Sequence, residues 1–144
     1  MKQTISSILQ QARFIVDEDS YVLVKLPTQG SVFALGIIAQ LAEPFLVFIM
    51  DSFEITLILS EEGYTNFANR LPTHTKGGAY KLITLDVELE PDLTGLIATL
   101  ANALAQANVS ILPYAAYSRD HLCVPKEDVE TALEALKRLQ ESFV

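Results

Sequence analysis

The sequence is poor in the residues that build disulfide frameworks and metal clusters. Its 144 residues include a single cysteine, Cys123, two histidines and no tryptophan. One cysteine cannot form an internal disulfide or a cysteine-rich metal site. We therefore expect no metal and no cofactor, and a reducing cytoplasmic setting suits the chain best.

Positive charge is scarce as well. Ten lysines and arginines stand against 18 aspartates and glutamates, which gives a formal net charge of −8 at pH 7. A protein that binds phosphate backbones or anionic lipid needs clustered basic side chains. The predicted partners therefore include neither nucleic acid nor a membrane surface.

One apolar run approaches the length of a membrane-spanning helix. Residues 32–50 read VFALGIIAQLAEPFLVFIM, but Glu43 and Pro44 lie near the middle. A charged residue at that depth is costly, and proline interrupts a helix. We expect a short buried segment, a break at Glu43-Pro44 and then a strand. The first residues, MKQTISSILQQ, also lack the apolar core of a signal peptide.

Motifs of nucleotide binding and nucleophilic catalysis are missing from the sequence, which has no G-x-G-x-x-G, Walker-type loop, G-x-S-x-G or H-E-x-x-H pattern. His121 and Cys123 share one face of a predicted strand, so a thiol–imidazole pair is conceivable. A buried cysteine beside a half-exposed histidine is the favoured interpretation. The sequence therefore predicts a protein that is not an enzyme.

The second half of the chain alternates clearly between strands and helices. Apolar residues alternate over 83–89, recur at helical spacing after Pro91-Asp92, and form strands over 109–117 and 121–124 before a last helix. This β-α-β-β-α order predicts a split β-α-β sheet with helices on one face, which needs one more strand for closure. Pro113 places its strand at a sheet edge.

The first half fits the same order less clearly. The patterns predict a helix over 4–13 and, after the polar break 17–20, a strand over 21–26. The stretch 31–42 is ambiguous between helix and strand. It is followed by predicted strands over 45–50 and 55–59 and by a helix capped by Ser60. The polar segment 73–78, with its paired glycines, then predicts an exposed linker. The expected domains are 1–72, linker 73–78 and 79–144.

The segment 90–96, EPDLTGL, is the most informative candidate site. It joins a strand to a helix, where free backbone N–H groups can hold a carboxylate. Gly95, expected in the first helical turn, would let a ligand approach closely, and Asp92 could accept an ammonium group. Chemistry alone favours the plainer alternative, a helix start capped by Asp92 or Thr94.

Residues 81–139 resemble an ACT domain, and the whole chain resembles small bacterial proteins built from two ACT modules in tandem. The resemblance rests on the following segments: Ile83-Thr84-Leu85, the helix entry 93–96 with Gly95, Ala115-Ala116-Tyr117, Asp120-His121 and Val124-Pro125, and more loosely Tyr21-Val22, Glu43-Pro44 and Leu57-Ile58-Leu59. Ser118 and Arg119 depart from that group, which usually has an aromatic residue and then a histidine there.

This resemblance implies an α+β fold with two ferredoxin-like βαββαβ modules, each an antiparallel sheet with helices on one face. It implies a non-enzymatic sensor, similar in arrangement to the tandem-ACT cytosolic arginine sensors, that binds an amino acid or similar small ligand at a module interface. The site residues carried over are Asp92, Leu93, Thr94, Gly95, Leu96, Tyr117, Asp120 and His121. Exposed edge strands favour a homodimer. The alternative is an interaction or oligomerisation module that binds no ligand.

Overall fold

A computed structural model describes residues 2–143 of the chain. The helices and strands are, in chain order, α1 (Ile5–Gln11), β1 (Arg13–Leu26), α2 (Ser31–Ile38), β2 (Val47–Met50), β3 (Ile55–Ser60), α3 (Glu61–Phe67), β4 (Thr75–Asp86), α4 (Leu96–Gln106), β5 (Leu112–Ala115), β6 (Asp120–Pro125) and α5 (Val129–Glu141). Antiparallel pairing joins β1 to β3, β2 to β3 and β5 to β6. The expected α+β fold class is confirmed.

The chain forms two compact units whose boundaries fall inside β1 and β4. The terminal unit contains the described residues up to Glu18 together with those from Lys81 onwards, and the central unit is Asp19–Tyr80. Each of the two long strands therefore contributes one segment to each unit. The predicted division lay elsewhere, at residues 73–78, because a local pattern cannot show which partner a strand pairs with.

The terminal unit has the strand order β1-β4-β6-β5. Its segment of β1 runs antiparallel to β4, because Arg13 contacts Asp86 at one end while Lys81 Nζ reaches the backbone carbonyls of Asp17 and Glu18 at the other, at 3.2 and 2.7 Å. Residues 13–18 thus supply the closing strand that the pattern of the second half lacks. Pro113 lies in β5 at the end of this order, as predicted.

Helix α1 belongs to the same core as the C-terminal helices. Ile8 and Leu9 are each 1% exposed, and Gln140 Nε2 donates to the carbonyls of Leu9 and Ala12 at 3.0 and 2.7 Å. A helix of seven residues is not stable in isolation, so this packing holds it. The buried core of the unit comprises Ile8, Leu9, Ala12, Ile83, Leu85, Leu96, Leu100, Leu104, Val109, Leu122, Val124, Ala132, Ala135 and Leu136.

The central unit has the strand order β2-β3-β1-β4. Strand β3 pairs with β1 from Tyr21↔Ser60 to Leu26↔Ile55 and with β2 on its other side. Ser60 caps α3 as predicted, since its hydroxyl accepts from Gly63 N–H at 2.9 Å. A separate core is formed by Val22, Val24, Leu26, Ala34, Ile37, Ile55, Leu57, Leu59 and Leu71.

The apolar run at residues 32–50 is divided between two elements. Helix α2 ends at Ile38, and β2 begins at Val47, so the predicted break around Glu43-Pro44 is confirmed. The ambiguous stretch 31–42 is helical up to Ile38. Within residues 2–143, no helix combines the length and the apolar character needed to cross a membrane.

Two predicted breaks are parts of strands. The polar residues 17–20 continue β1, and residues 75–78 of the predicted linker begin β4. A Cβ atom at Gly77 would lie 3.2 Å from the Leu23 carbonyl oxygen. This glycine therefore serves a close approach of backbones, which explains why the segment resembles a flexible linker in sequence yet forms a strand.

Because α1 completes the core of the terminal unit, we expect Leu9→Ala to lower the free energy of unfolding by about 2–5 kcal/mol, the usual cost of removing a buried leucine side chain. Gln11→Ala, at an exposed position of the same helix, should change it by less than about 0.5 kcal/mol. Urea unfolding followed by circular dichroism provides the measurement. Equal stabilities of the two variants would contradict the assignment of α1 to this core.

Candidate functional site

The terminal unit contains a cavity of about 440 Å³ between the loop that leads from β4 to α4 and the hairpin that joins β5 to β6. We call these the β4–α4 loop (residues 87–95) and the β5–β6 hairpin (residues 116–119). The cavity is lined by Leu89, Glu90, Pro91, Leu93, Gly95, Leu96, Ile97, Ala98, Ala115, Ala116, Tyr117, Ser118, Arg119 and Asp120.

The start of α4 faces this cavity. Gly95 is the N-cap residue with φ 92°, and no side chain caps the helix. The backbone amides of Leu96, Ile97 and Ala98 therefore lie at the positive end of the helix without a side-chain acceptor. Such a helix start can hold the carboxylate of a small ligand.

Backbone hydrogen bonds fix the opposite wall. Ala116 N–H donates to the Arg119 carbonyl at 2.9 Å, which closes the hairpin, and Leu89 N–H donates to the Ser118 carbonyl at 2.8 Å, which joins the loop to the hairpin. The side chain of Tyr117 is 93% exposed at the hairpin tip. Tyr117 therefore borders the mouth of the cavity rather than a closed interior.

Asp86 holds two arginines beside this wall. Its carboxylate contacts Arg13 Nη2 at 3.1 Å and Arg119 Nε at 3.3 Å. The hydrogen bond from Arg13, together with the one from Arg119, keeps the pKa of Asp86 below its ordinary value against an opposing effect of burial. Arg119, the one basic residue of the lining, is thus partly neutralised by Asp86.

The pKa values of Asp120 and His121 move in opposite directions for the same reason. Burial raises the pKa of the Asp120 carboxyl, and the neighbouring His121 only partly offsets this. Burial likewise lowers the pKa of His121, against the effect of Asp120. His121 Nδ1 lies 2.8 Å from Thr84 Oγ1, so its ring is held against β4 and does not line the cavity.

Cys123 is fully buried, and burial raises the pKa of its thiol to about 12. The thiol is therefore protonated at neutral pH, whereas nucleophilic chemistry requires the thiolate. The structure supports the interpretation of Cys123 as a buried core residue. Among residues 2–143, no three histidine, cysteine or acidic side chains are grouped so that they could hold a metal ion.

The structure separates the residues predicted for the site into two groups. Those that line the cavity are Leu93, Gly95, Leu96, Tyr117 and Asp120. Asp92 and Thr94 line a second, smaller depression of about 240 Å³ beside residues 2–5, where Asp92 Oδ2 lies 3.6 Å from Lys2 Nζ. His121 lines neither.

Two details of the helix entry differ from the prediction. Neither Asp92 nor Thr94 caps α4, and Gly95 lies before the first helical turn rather than within it. Residues 90–93 form a turn of their own, in which Leu93 N–H donates to the Glu90 carbonyl at 3.1 Å, and Thr94 Oγ1 donates to the Asp92 carbonyl at 3.3 Å just after it. The extra turn delays the helix until Leu96.

The residues predicted for the site omit several that line the cavity, chiefly Ala98 and Arg119, and Glu90 of the candidate segment 90–96 has no predicted role. Arg119 carried a usable signal, since it places a cation where similar proteins usually have a histidine. Glu90 has no distinct signal in the sequence, because the apolar alternation runs on to residue 89 and does not show that β4 ends at Asp86.

The left-handed conformation of Gly95 generates a stability prediction. A Cβ atom at Gly95 or at Gly36 of α2 would meet no heavy atom within 4 Å, but only Gly95 has a positive φ. Gly95→Ala should lower the free energy of unfolding by about 1–2 kcal/mol because alanine is strained there. Gly36→Ala should raise it by about 0.5–1 kcal/mol. Thermal unfolding of both variants measures this, and a stabilised Gly95→Ala protein would contradict the assigned conformation.

Comparison with known proteins identifies the segment that carries the cavity. Residues 78–138 match the family model of the ACT domain. The matched residues include the β4–α4 loop, α4 and the whole β5–β6 hairpin. The resemblance inferred from the sequence is confirmed over this segment.

The chain also resembles a family of curated eukaryotic proteins. It is 26% identical over 101 residues to the human cytosolic arginine sensor for mTORC1 subunit 1, and 26% identical over 102 residues to the rat protein. These matches cover 69% of this chain but only 31% of each relative. The chain thus spans about a third of the length of the relatives it matches.

Solved structures show the same fold over nearly the whole chain. A Vibrio cholerae protein of unknown function, described as a possible transport protein, is 26% identical with a TM-score of 0.73, and the match covers 95% of this chain and 96% of that one. The regulatory subunit of aspartate kinase from Thermus flavus is 13% identical with a TM-score of 0.63, over 88% and 95% of the two chains. At that identity, the second similarity concerns the fold alone.

Proposed function

We propose that this ACT-domain protein is a non-enzymatic sensor, and that it binds a free amino acid in the cavity between the β4–α4 loop and the β5–β6 hairpin. The observation that carries the proposal is the uncapped start of α4 facing a cavity that also contains a desolvated carboxylate. Its volume of about 440 Å³ lies in the range of small-molecule sites. The similarity to arginine sensors supports the same class of ligand.

The carboxylate of the ligand would accept hydrogen bonds from the backbone amides of Leu96, Ile97 and Ala98. These donors belong to a regular helix and are already oriented, so the ligand does not have to order them. Because Gly95 has no side chain, the carboxylate can approach the helix axis closely.

The ammonium group of the ligand would pair with Asp120. Burial disfavours the charged form of this carboxyl, and a bound cation would offset that cost. The sign of the pH dependence follows. A ligand that requires ionised Asp120 binds more weakly as the pH falls through the raised pKa of that group, and more strongly above it.

The charges of the lining favour a ligand with an additional positive charge. Glu90 and Asp120 are acidic, and Arg119 is already paired with Asp86. Arginine and lysine are therefore the first candidates, since their side chains would reach acidic groups while their carboxylate meets the helix start.

We also propose that the two compact units are two ferredoxin-like ACT modules, here divided at strands β1 and β4. The support is the strand order, which is β1-β4-β6-β5 in one unit and β4-β1-β3-β2 in the other. Both correspond to the order of a split β-α-β sheet. A cytoplasmic location rests on the similarity to a cytosolic relative.

An interaction or oligomerisation module that binds no ligand is the alternative function, and one observation favours it. Helix α2 exposes the apolar side chains of Val32, Phe33 and Leu35, with Val32 77% and Phe33 61% accessible. Exposed apolar side chains of this kind are common at protein interfaces.

Calorimetric titration of the protein with L-arginine, L-lysine and the neutral and acidic amino acids tests the proposal. We expect the basic amino acids to bind, and Asp120→Asn to weaken binding by about 1.5–3 kcal/mol, the range for a hydrogen bond to a charged group. The control Glu127→Gln, an exposed carboxylate at the start of the last helical region, should bind like the parent. If no amino acid binds, the interaction module becomes the better account.

A further inference from the structure

The side-chain amide of Gln3 forms hydrogen bonds with the backbone of the β4–α4 loop, similar to those between neighbouring strands of a sheet. Its Nε2 donates to the Glu88 carbonyl at 2.8 Å, and its Oε1 accepts from the Glu90 backbone N–H at 2.7 Å. The Gln3 backbone N–H also donates to Glu90 Oε2 at 3.3 Å. One residue thus satisfies a donor and an acceptor of the loop and orients an acidic side chain of the cavity.

Gln3 is itself held in place from the other side. Thr4 and Ser7 form a capping box at the start of α1, with Ser7 N–H donating to Thr4 Oγ1 and Thr4 N–H donating to Ser7 Oγ, each at 3.1 Å. Helix α1 is anchored in the core by Ile8 and Leu9. On its C-terminal side, Gln3 is therefore joined to an anchored helix. This attachment holds its side-chain amide in place beside the loop.

The neighbouring ion pair adds little to this attachment. Lys2 Nζ and Asp92 Oδ2 are 3.6 Å apart, but both side chains are largely exposed. Exposed pairs of this kind are weak and are screened by salt. The hydrogen bonds of Gln3 are consequently the main connection between the first residues and the loop.

The β4–α4 loop separates two spaces in the terminal unit. Glu90 and Leu93 line both the cavity of the proposed site and the smaller depression that residues 2–5 border. On the cavity side, Leu89 N–H is bonded to the Ser118 carbonyl. A shift of the loop toward or away from Gln3 therefore changes the wall of the cavity.

We propose that residues 2–4 act as a latch, in which Gln3 is a positioning residue that fixes the β4–α4 loop and thereby sets the affinity for the amino acid. This inference rests on the proposed function. It implies that occupation of the cavity tightens the latch and that displacement of the first residues weakens ligand binding by the same factor, because coupling between two binding equilibria is reciprocal.

The variant Gln3→Ala tests the latch, and Gln10→Ala is a matched control. Gln10 Nε2 also donates a hydrogen bond to a backbone carbonyl of the same unit, that of Phe143 at 2.8 Å, and its other bond goes to Ser6 of α1 rather than to the loop. With L-arginine as the probe in calorimetry, we expect Gln3→Ala to raise the Kd about tenfold. Without the two hydrogen bonds of Gln3, the free energy of ordering the loop must come from ligand binding. Gln10→Ala should stay within about twofold of the parent.

Amide hydrogen exchange followed by NMR gives a second readout, which reports how firmly the loop is held against the hairpin. The Leu89 N–H belongs to the same peptide group as the Glu88 carbonyl that Gln3 bonds, and its own hydrogen bond to the Ser118 carbonyl depends on the position of the loop. Exchange at Leu89 should be several-fold faster in Gln3→Ala and unchanged in Gln10→Ala.

The outcomes separate the latch from the function on which it rests. A Kd for Gln3→Ala within twofold of the parent, or unchanged exchange at Leu89, overturns the latch even if L-arginine binds well. If neither L-arginine nor any other amino acid binds the parent, the proposed function fails and the claim about affinity fails with it. Faster exchange at Leu89 in Gln3→Ala would still establish that Gln3 positions the loop.

Discussion

The pairing of residues 13–18 with the second half of β4 is the constraint on which the rest of the terminal unit depends. Without that segment, the β-α-β-β-α order from Lys81 onwards leaves one edge of the sheet without its closing strand. The same pairing brings α1 onto the core and places Gln3 beside the β4–α4 loop. The cavity is therefore built from residues of the second half but supported by the first residues of the chain.

Local patterns predicted most elements of this fold, and the failures share one cause. The amphipathic spacing in α4 and α5, the cap at Ser60 and the edge position of Pro113 depend on neighbours in sequence, and each was found as expected. The continuation of β1 through acidic residues and of β4 through Gly77-Gly78 depends on strand pairing between distant residues. No local pattern of charge or glycine reports such pairing.

The candidate site was predictable to a similar degree. A strand-to-helix connection indicated the region of α4, and the cavity is found there. The side chains that face it depend on details that the sequence does not show, because Gly95 begins the helix later than expected and turns Asp92 and Thr94 towards residues 2–5. Asp120 and His121 are adjacent in β6, yet only Asp120 lines the cavity, as alternation along a strand requires.

The proposed function requires that the uncapped start of α4 and the β5–β6 hairpin together bind an amino acid. Titration of isotope-labelled protein with L-arginine, followed through backbone amide chemical shifts, tests it most directly. We expect the largest shifts at residues 96–98 and 116–119, because these residues line the cavity. Shifts concentrated on α2 or elsewhere in the central unit, with residues 96–98 unchanged, would contradict it.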